Sequence, residues 1–522
     1  MTIENVIIYH AFMMNFNLVK SKLCEIKKMG FTHVQVGPIH ECREKFGPGI
    51  MLGGDHAIDF TNPLPSQMPW WFLYQPKSYK IGNAIVGTEN EFKELIAYAN
   101  NVNIGIIVDI VIGHTIALDM KVDLEFVDKN CSQSQDKTFT ECIKKNENKK
   151  DVEKTNLPNI KKELISIAKY FFKLNDDISD DEILNIFITP FICDLTKTST
   201  LTNGYDCWLG RALPHLNYEN VIVRNAIHGL VENLGKLGVS GIRVDAAGHI
   251  NPDRLRELVC VFKENCIAIN KYSYIEVVDA IPLKDRGKTK EETLIIYKEI
   301  APITEYKILE DLKDIFCFGC NVNKLIKNED ETDLDKNKLG VVFSATHDTD
   351  IQQMDVIPEL RGMGFGYNKE NKRVENDSRE NKKLALIYLI QQCYGTPLVL
   401  WYQTDDDYDD RTIKGEVNDV KQCIEFRDYL FKNKVFRSKN TIVNSYVFKS
   451  MKYNSSNKHL GTIYINISGE NQPIDGILIN PRRIKIVYPI QHKGGNKKQV
   501  NYYDKYIKYK NKYLINRFSK IN

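Results

Sequence analysis

Gly241-Ile-Arg-Val-Asp-Ala-Ala-Gly-His249 is the stretch that decides the fold. A short apolar run carries two charged residues, Arg243 and Asp245, and then breaks into small residues. Residues two apart on an extended strand share a face, so the arginine and the aspartate stand side by side at the strand's C-terminal end. The same texture recurs. Asp109-Ile-Val-Ile-Gly-His114, Tyr274-Ile-Glu276 and Phe343-Ser-Ala-Thr-His-Asp348 each close an apolar run with ionisable groups. Burying such groups is costly unless pairing or function compensates, so four repetitions at strand ends point to one shared site.

Outward from these runs, short apolar segments alternate with helical patterns. The candidate strands are Val6–His10, Thr32–Val36, Ile104–Ile110, Gly241–Val244, Tyr272–Val277, Ile303–Lys307, Val341–Ala345 and Leu398–Tyr402. Between them, Thr88 and Glu91 have capping-box spacing ahead of Phe92, Leu95, Ile96 and Ala99, which recur at helical period. Val221–Leu237 and Lys382–Cys393 read as helices in the same way. Alternating β and α units predict an α/β fold, a (β/α)8 TIM barrel, with its chemistry at the C-terminal ends of the strands.

The connection from His114 to Leu216 is far longer than the usual βα loop of about 2–6 residues. It is expected to be an inserted domain, residues 115–215, leaving the barrel as 1–114 and 216–435. Within it Ile160, Leu164, Ile167, Phe171 and Leu174 predict a helix. After residue 435 the runs Ile442–Phe448, Gly461–Ile467 and Ile484–Val487 predict a C-terminal antiparallel β domain, 436–501. The last segment, 502–522, carries six Lys or Arg against one acid, with Tyr502, Tyr506, Tyr509 and Tyr513 at helical spacing. It reads as a solvated helix or as an attachment tail for an acidic protein partner. It resembles short Tyr/Lys tails of proteins from large DNA viruses.

The formal net charge of +3 argues against wholesale nucleic-acid binding, which needs a strong basic excess. No apolar run is long enough to span a membrane. The first residues lack the basic start and long apolar core of a secretory leader, so a cytoplasmic or virion-associated protein is expected. Cys317 and Cys320 form a lone C-F-G-C pair, read as structural or free thiols rather than a zinc site.

Met68-Pro-Trp-Trp-Phe-Leu-Tyr-Gln-Pro-Lys-Ser-Tyr79 strongly resembles the Trp-Trp-x-x-Tyr-Gln-Pro-x-Ser-Tyr segment of animal-type α-amylases. Together with the strand-end carboxylates it makes residues 5–435, apart from the insertion, similar to the α-amylase family of glycoside hydrolases. The resemblance implies an α-glucan substrate such as starch or glycogen, and retaining cleavage of α-1,4 bonds. Asp245 is then the nucleophile, Glu276 the general acid and base, and Asp348 the group that binds ring hydroxyls. Arg243 would orient Asp245 and lower its pKa. His114 and His347 would contact the sugar at the cleavage point. Tyr74 would stack on it, with Trp70, Trp71, Gln75 and Asp109 completing the binding side. A crowded, weakly polar site would keep Glu276 protonated. The same family includes 4-α-glucanotransferases and α-glucosidases, and a non-catalytic carbohydrate-binding homologue is a third reading.

Four positions depart from the family pattern. Gly113 replaces an asparagine that binds calcium, while Asp206 and the His249 carbonyl stand where calcium ligands are found. Calcium wants about six to eight oxygens, so its retention is an open question here. Thr346 replaces an asparagine that helps bind chloride, so chloride is not expected. Gly248 replaces a lysine that contacts the acceptor-side sugar, and His215 replaces an aspartate at the insertion's junction with the barrel.

Overall fold

The computed structural model describes residues 5–44, 70–118, 157–188, 213–278, 280–317, 340–349, 379–392, 395–404 and 418–489, with a few isolated positions between them. In chain order the strands are β1 Ile8–Ala11, β2 His33–Val36, β3 His40–Cys42, β4 Pro76–Asn83, β5 Gly87–Thr88, β6 Gly105–Ile110, β7 Gly241–Val244, β8 Tyr274–Ile275, β9 Val341–Val342 and β10 Thr396–Leu400. The C-terminal strands are β11 Val435–Asn444, β12 Val447–Asn454, β13 His459–Asn466, β14 Gln472–Ile474, β15 Ile477–Ile479 and β16 Ile484–Val487.

Seven strands form one parallel sheet in the order β8-β7-β6-β2-β1-β10-β9. The ring closes through the sixth predicted run. Ile303 bridges Ile275 and Thr304 bridges Val341, both parallel. Glu305 N–H donates to the Val341 carbonyl at 2.9 Å and Val341 N–H to the Ile303 carbonyl at 2.8 Å. The predicted strand Ile303–Lys307 is thus a short irregular stave, because a helix, Tyr306–Lys313, begins inside it. The result is the (β/α)8 barrel with a C-terminal β domain.

The strand side chains are buried on both faces of the ring, including Ile8, Val34, Ile107, Ile242 and Leu398. A polar thread crosses this core: the Tyr274 hydroxyl donates to Gln35, whose amide meets His10 Nε2 at 3.3 Å. Where β7 and β8 meet, close approach demands glycine. A Cβ on Gly241 would lie 1.6 Å from the Tyr272 carbonyl oxygen. The helices are set by local signals. Thr88 caps Glu89–Asn101 with a capping box to Glu91, and the buried face is Phe92, Leu95, Ile96 and Ala99, the predicted stripe. Val221–Lys236 and Arg379–Gln391 are also helical.

Of the insertion, the helix Leu157–Phe172 is described, with Ile160, Leu164 and Phe171 on its buried side. A hairpin missed by sequence, β3 with β4, rises beside it. The C-terminal domain is an antiparallel sheet in the order β11-β12-β13-β16. The predicted run Ile442–Phe448 straddles the turn between β11 and β12 and is corrected to two strands, since apolar content continues through the turn at Tyr446. Cys317 and Cys320 are bonded to each other, so neither is a free thiol. No described helix is long and apolar enough to cross a membrane. The basic tail, 502–522, and Asp206 lie outside the described residues.

Candidate active site

Four of the barrel strands deliver ionisable groups to the same mouth. Asp109 comes from the end of β6, Arg243 from β7, Asp245 just beyond it and Glu276 just beyond β8. Asp348 follows β9 in a tight turn, where its N–H donates to Thr346 Oγ1 at 3.2 Å and Thr346 N–H donates to Thr349 Oγ1 at 2.9 Å. The four carboxylates are at most 8% exposed.

Arg243 organises them. Its Nη1 lies 2.8 Å from Asp109 Oδ1 and 2.6 Å from Asp245 Oδ1, and its Nη2 lies 2.5 Å from Glu276 Oε1. The second oxygen of Glu276 accepts the Ala246 N–H at 3.0 Å. Ala246 holds this position with φ at 45°, a left-handed conformation that costs an alanine energy. Such strain beside a carboxylate is common at functional sites. The Tyr74 hydroxyl donates to Asp109 Oδ2 at 2.9 Å.

One guanidinium cannot neutralise four buried carboxylates. Burial pushes Asp245 up to about 8; Arg243 opposes this, and Glu276 and Asp109 add to it. Burial likewise raises Asp109 to about 6, again against Arg243. Asp348 is raised well above the carboxylate range by burial and by Glu276. Arg243 lowers the Asp245 pKa as expected, but desolvation outweighs the ion pair and the net shift is upward. Asp245 therefore holds its proton near neutral pH, and Asp348 is shifted in the same direction.

An aromatic wall stands over the carboxylates. His347 is stacked between Phe12, at 4.6 Å, and Tyr74, at 5.1 Å, with Trp70 edge-on at 5.2 Å. Its Nε2 meets Asp348 Oδ1 at 3.2 Å, and burial holds the ring neutral. His114 donates from Nδ1 to the Thr115 carbonyl at 2.9 Å, which leaves Nε2 as an acceptor. Burial pulls its pKa down to about 4. Gln75 is tied back by the Ala117 N–H at 3.2 Å, and Trp71 packs edge-on against Phe72 at 4.8 Å. So Asp109, Arg243, Asp245, Glu276, Asp348, His347, Tyr74 and Trp70 come together, whereas Trp71 and Gln75 make their described contacts away from the carboxylates. Sequence reasoning missed Phe12 and Tyr306. Both follow directly on barrel staves, which was the available signal.

The described side chains at the implied calcium position do not fit that ion. Gly113 offers no oxygen from a side chain, and a Cβ there would meet His215 Cε1 at 3.6 Å and Ile250 Cγ1 at 4.0 Å. The space is filled by imidazole and methyl groups. His215 is 1% exposed and its Nδ1 makes no hydrogen bond. Nitrogen and carbon are poor company for a hard cation. Among the described residues no group of three or more His, Cys, Asp or Glu side chains is placed to hold a metal. Backbone pairing secures the junction instead: Leu216 N–H donates to the Gly113 carbonyl at 2.9 Å and Thr115 N–H to the Pro214 carbonyl at 3.1 Å.

No protein-family model matches the chain. An α-amylase of Butyrivibrio fibrisolvens is 35% identical over 108 residues, 21% of this chain and 10% of that protein. Pancreatic α-amylase of Rattus norvegicus is 27% identical over 241 residues, 46% of this chain and 36% of the relative. An α-amylase-related protein of Drosophila elegans is 24% identical over 282 residues, 53% and 47% of the two chains. The chain thus spans about half the length, or less, of these curated relatives. Among solved structures, a mutant of α-amylase I from Eisenia fetida with maltohexaose aligns with a TM-score of 0.59 at 17% identity, covering 90% of this chain and 85% of the other. The cyclomaltodextrin glucanotransferase CldA aligns with a TM-score of 0.57 at 13% identity, covering 94% and 100%. These structures share the fold, and the sequence relatives carry the name of the family that the strand-end motifs resemble.

Proposed function

We propose that the protein is a retaining α-glucan hydrolase that cleaves internal α-1,4 bonds by double displacement. The observation that carries this reading is the set of buried carboxylates gathered by Arg243 at the barrel mouth. Breaking an acetal needs one carboxylate as nucleophile and one carboxylic acid as proton donor, and a proton-sharing cluster supplies both forms.

Asp245 attacks the anomeric carbon as the bond to the leaving oxygen breaks. Glu276 delivers its proton to that oxygen. Water then attacks the glycosyl–Asp245 ester, giving its proton to Glu276, and Asp245 leaves as a carboxylate. Arg243 bridges both groups and keeps their separation fixed through the cycle. Asp348, steadied by His347, faces the same point and binds ring hydroxyls. Tyr74, Trp70 and Phe12 present carbon-rich faces suited to a pyranose. Asp109 anchors Arg243 from behind and meets Tyr74.

No step is derived through calcium. Reducing-end release from soluble starch tests the reading. The wild type should release reducing ends and Asp245→Asn should lose release while keeping its thermal unfolding transition. Near wild-type release by Asp245→Asn would refute the assignment. With maltoheptaose, products longer than the substrate would move the protein to the glucanotransferase reading. No turnover at all would favour a carbohydrate-binding homologue.

A further inference from the structure

Tyr306 sits where no motif announced it. It is the first residue of the helix that follows the sixth stave, so closure of the barrel fixes its place: Glu305 immediately before it is tied to Val341. The ring is 3% exposed and packs edge-on against Phe343 at 5.0 Å. Its hydroxyl lies 3.1 Å from Glu276 Oε1 and 3.5 Å from Asp348 Oδ2. A phenol used only for packing has no need of this position, since phenylalanine would fill the same space.

We propose that Tyr306 is a positioning residue that holds the proton-donating carboxyl of Glu276 and couples it to Asp348. This rests on the hydrolase reading above. The geometry suits both protonation states. A phenol donates one hydrogen and accepts through its lone pairs. It donates to Glu276 when that carboxyl is ionised, and turns its hydrogen toward Asp348 when Glu276 carries the proton. Glu276 can then lose and regain a proton without changing rotamer. Tyr306 itself stays protonated throughout, because burial lifts its pKa well above the phenol range. Arg243 on the same oxygen cannot do this, since guanidinium only donates.

The test compares wild type with Tyr306→Phe, which keeps the ring packing, and with a site-specific fluorotyrosine at 306, which is a stronger donor of the same shape. Losing a hydrogen bond to a charged group is worth about one pH unit or more. We expect Tyr306→Phe to lower kcat at least about tenfold with KM little changed, on the strength of one such bond. The limb of the kcat–pH profile set by the proton donor should move up in Tyr306→Phe and down in the fluorotyrosine protein. Superimposable profiles and unchanged kcat would overturn the proposal. If Tyr306→Phe fails to fold, the fluorotyrosine protein decides alone: a shifted limb supports the proposal and an unshifted one overturns it. If the wild type turns over no α-glucan, the hydrolase reading fails. The carboxyl titration, followed by 13C NMR in the same three proteins, then decides Tyr306 separately: displaced curves support the coupling and identical curves refute it.

Discussion

Arg243→Met removes the one cation that the described structure places among Asp109, Asp245 and Glu276 while keeping a side chain of similar length. Breaking a buried ionic cluster by removing one partner costs about 3–5 kcal/mol, because the remaining charge is left uncompensated. At about 2.1 cal/mol/K of unfolding entropy per residue, 522 residues give about 1.1 kcal/mol/K, so the loss corresponds to a fall in Tm of about 3–5 °C. The loss should depend on pH. Asp109 is held at about 6 and Asp245 at about 8, against an ordinary 3.8 for each. Between 3.8 and those values the folded protein binds more protons than the unfolded chain, so stability falls as pH rises through the window. Arg243 opposes both shifts. Its removal raises the folded values further and deepens the fall. Differential scanning calorimetry of both proteins across pH 5 to pH 8 should show the Tm gap smallest at the acid end and largest at the alkaline end. A gap that is constant with pH, or that widens toward acid, would refute the reasoning.

Calcium should leave the Tm of chelator-treated protein unchanged, whereas a site filled at 100 times its Kd would add about 2.7 kcal/mol of stability. The His215 ring should matter by its volume. His215→Phe should keep the Tm near wild type, and His215→Ala should lower it by opening a cavity beside Gly113, at a cost of about 2–5 kcal/mol. A calcium-dependent rise in Tm, or equal losses in the two variants, would contradict this. Gly241→Ala should lower Tm by more than the usual overpacking cost of about 1–3 kcal/mol, because its Cβ would press on the Tyr272 backbone, and β7 would have to part from β8. A Tm unchanged by calorimetry would show that the two strands give way easily.

The barrel was legible because its strands end in a conspicuous way. Gly241–Val244 stands where the sequence places it, and the capping box at Thr88 opens its helix as read. The sixth stave was harder. Glu305 is a poor strand former, and the run is held by two isolated bridges rather than by a ladder. The β3–β4 hairpin escaped because its two strands are separated by more than thirty residues of chain, so no turn signal joins them. In the site, residue identity was readable and electrostatics was not. Arg243 and Asp245 share a face by period, which suggested a low pKa for the aspartate. Burial decides the opposite, with Glu276 and Asp109 adding to it, and only the closed ring buries Asp245 and brings those carboxylates to it. Tyr306 was invisible for the same reason: its partners lie 30 and 42 residues away.

The anomeric form of the first product tests the central claim most directly. Proton NMR of maltoheptaose freshly cleaved by the wild type should show the α-anomer accumulating before mutarotation, as two successive inversions at the anomeric carbon require. A β-anomer appearing first would contradict double displacement and remove Asp245 from the role of nucleophile.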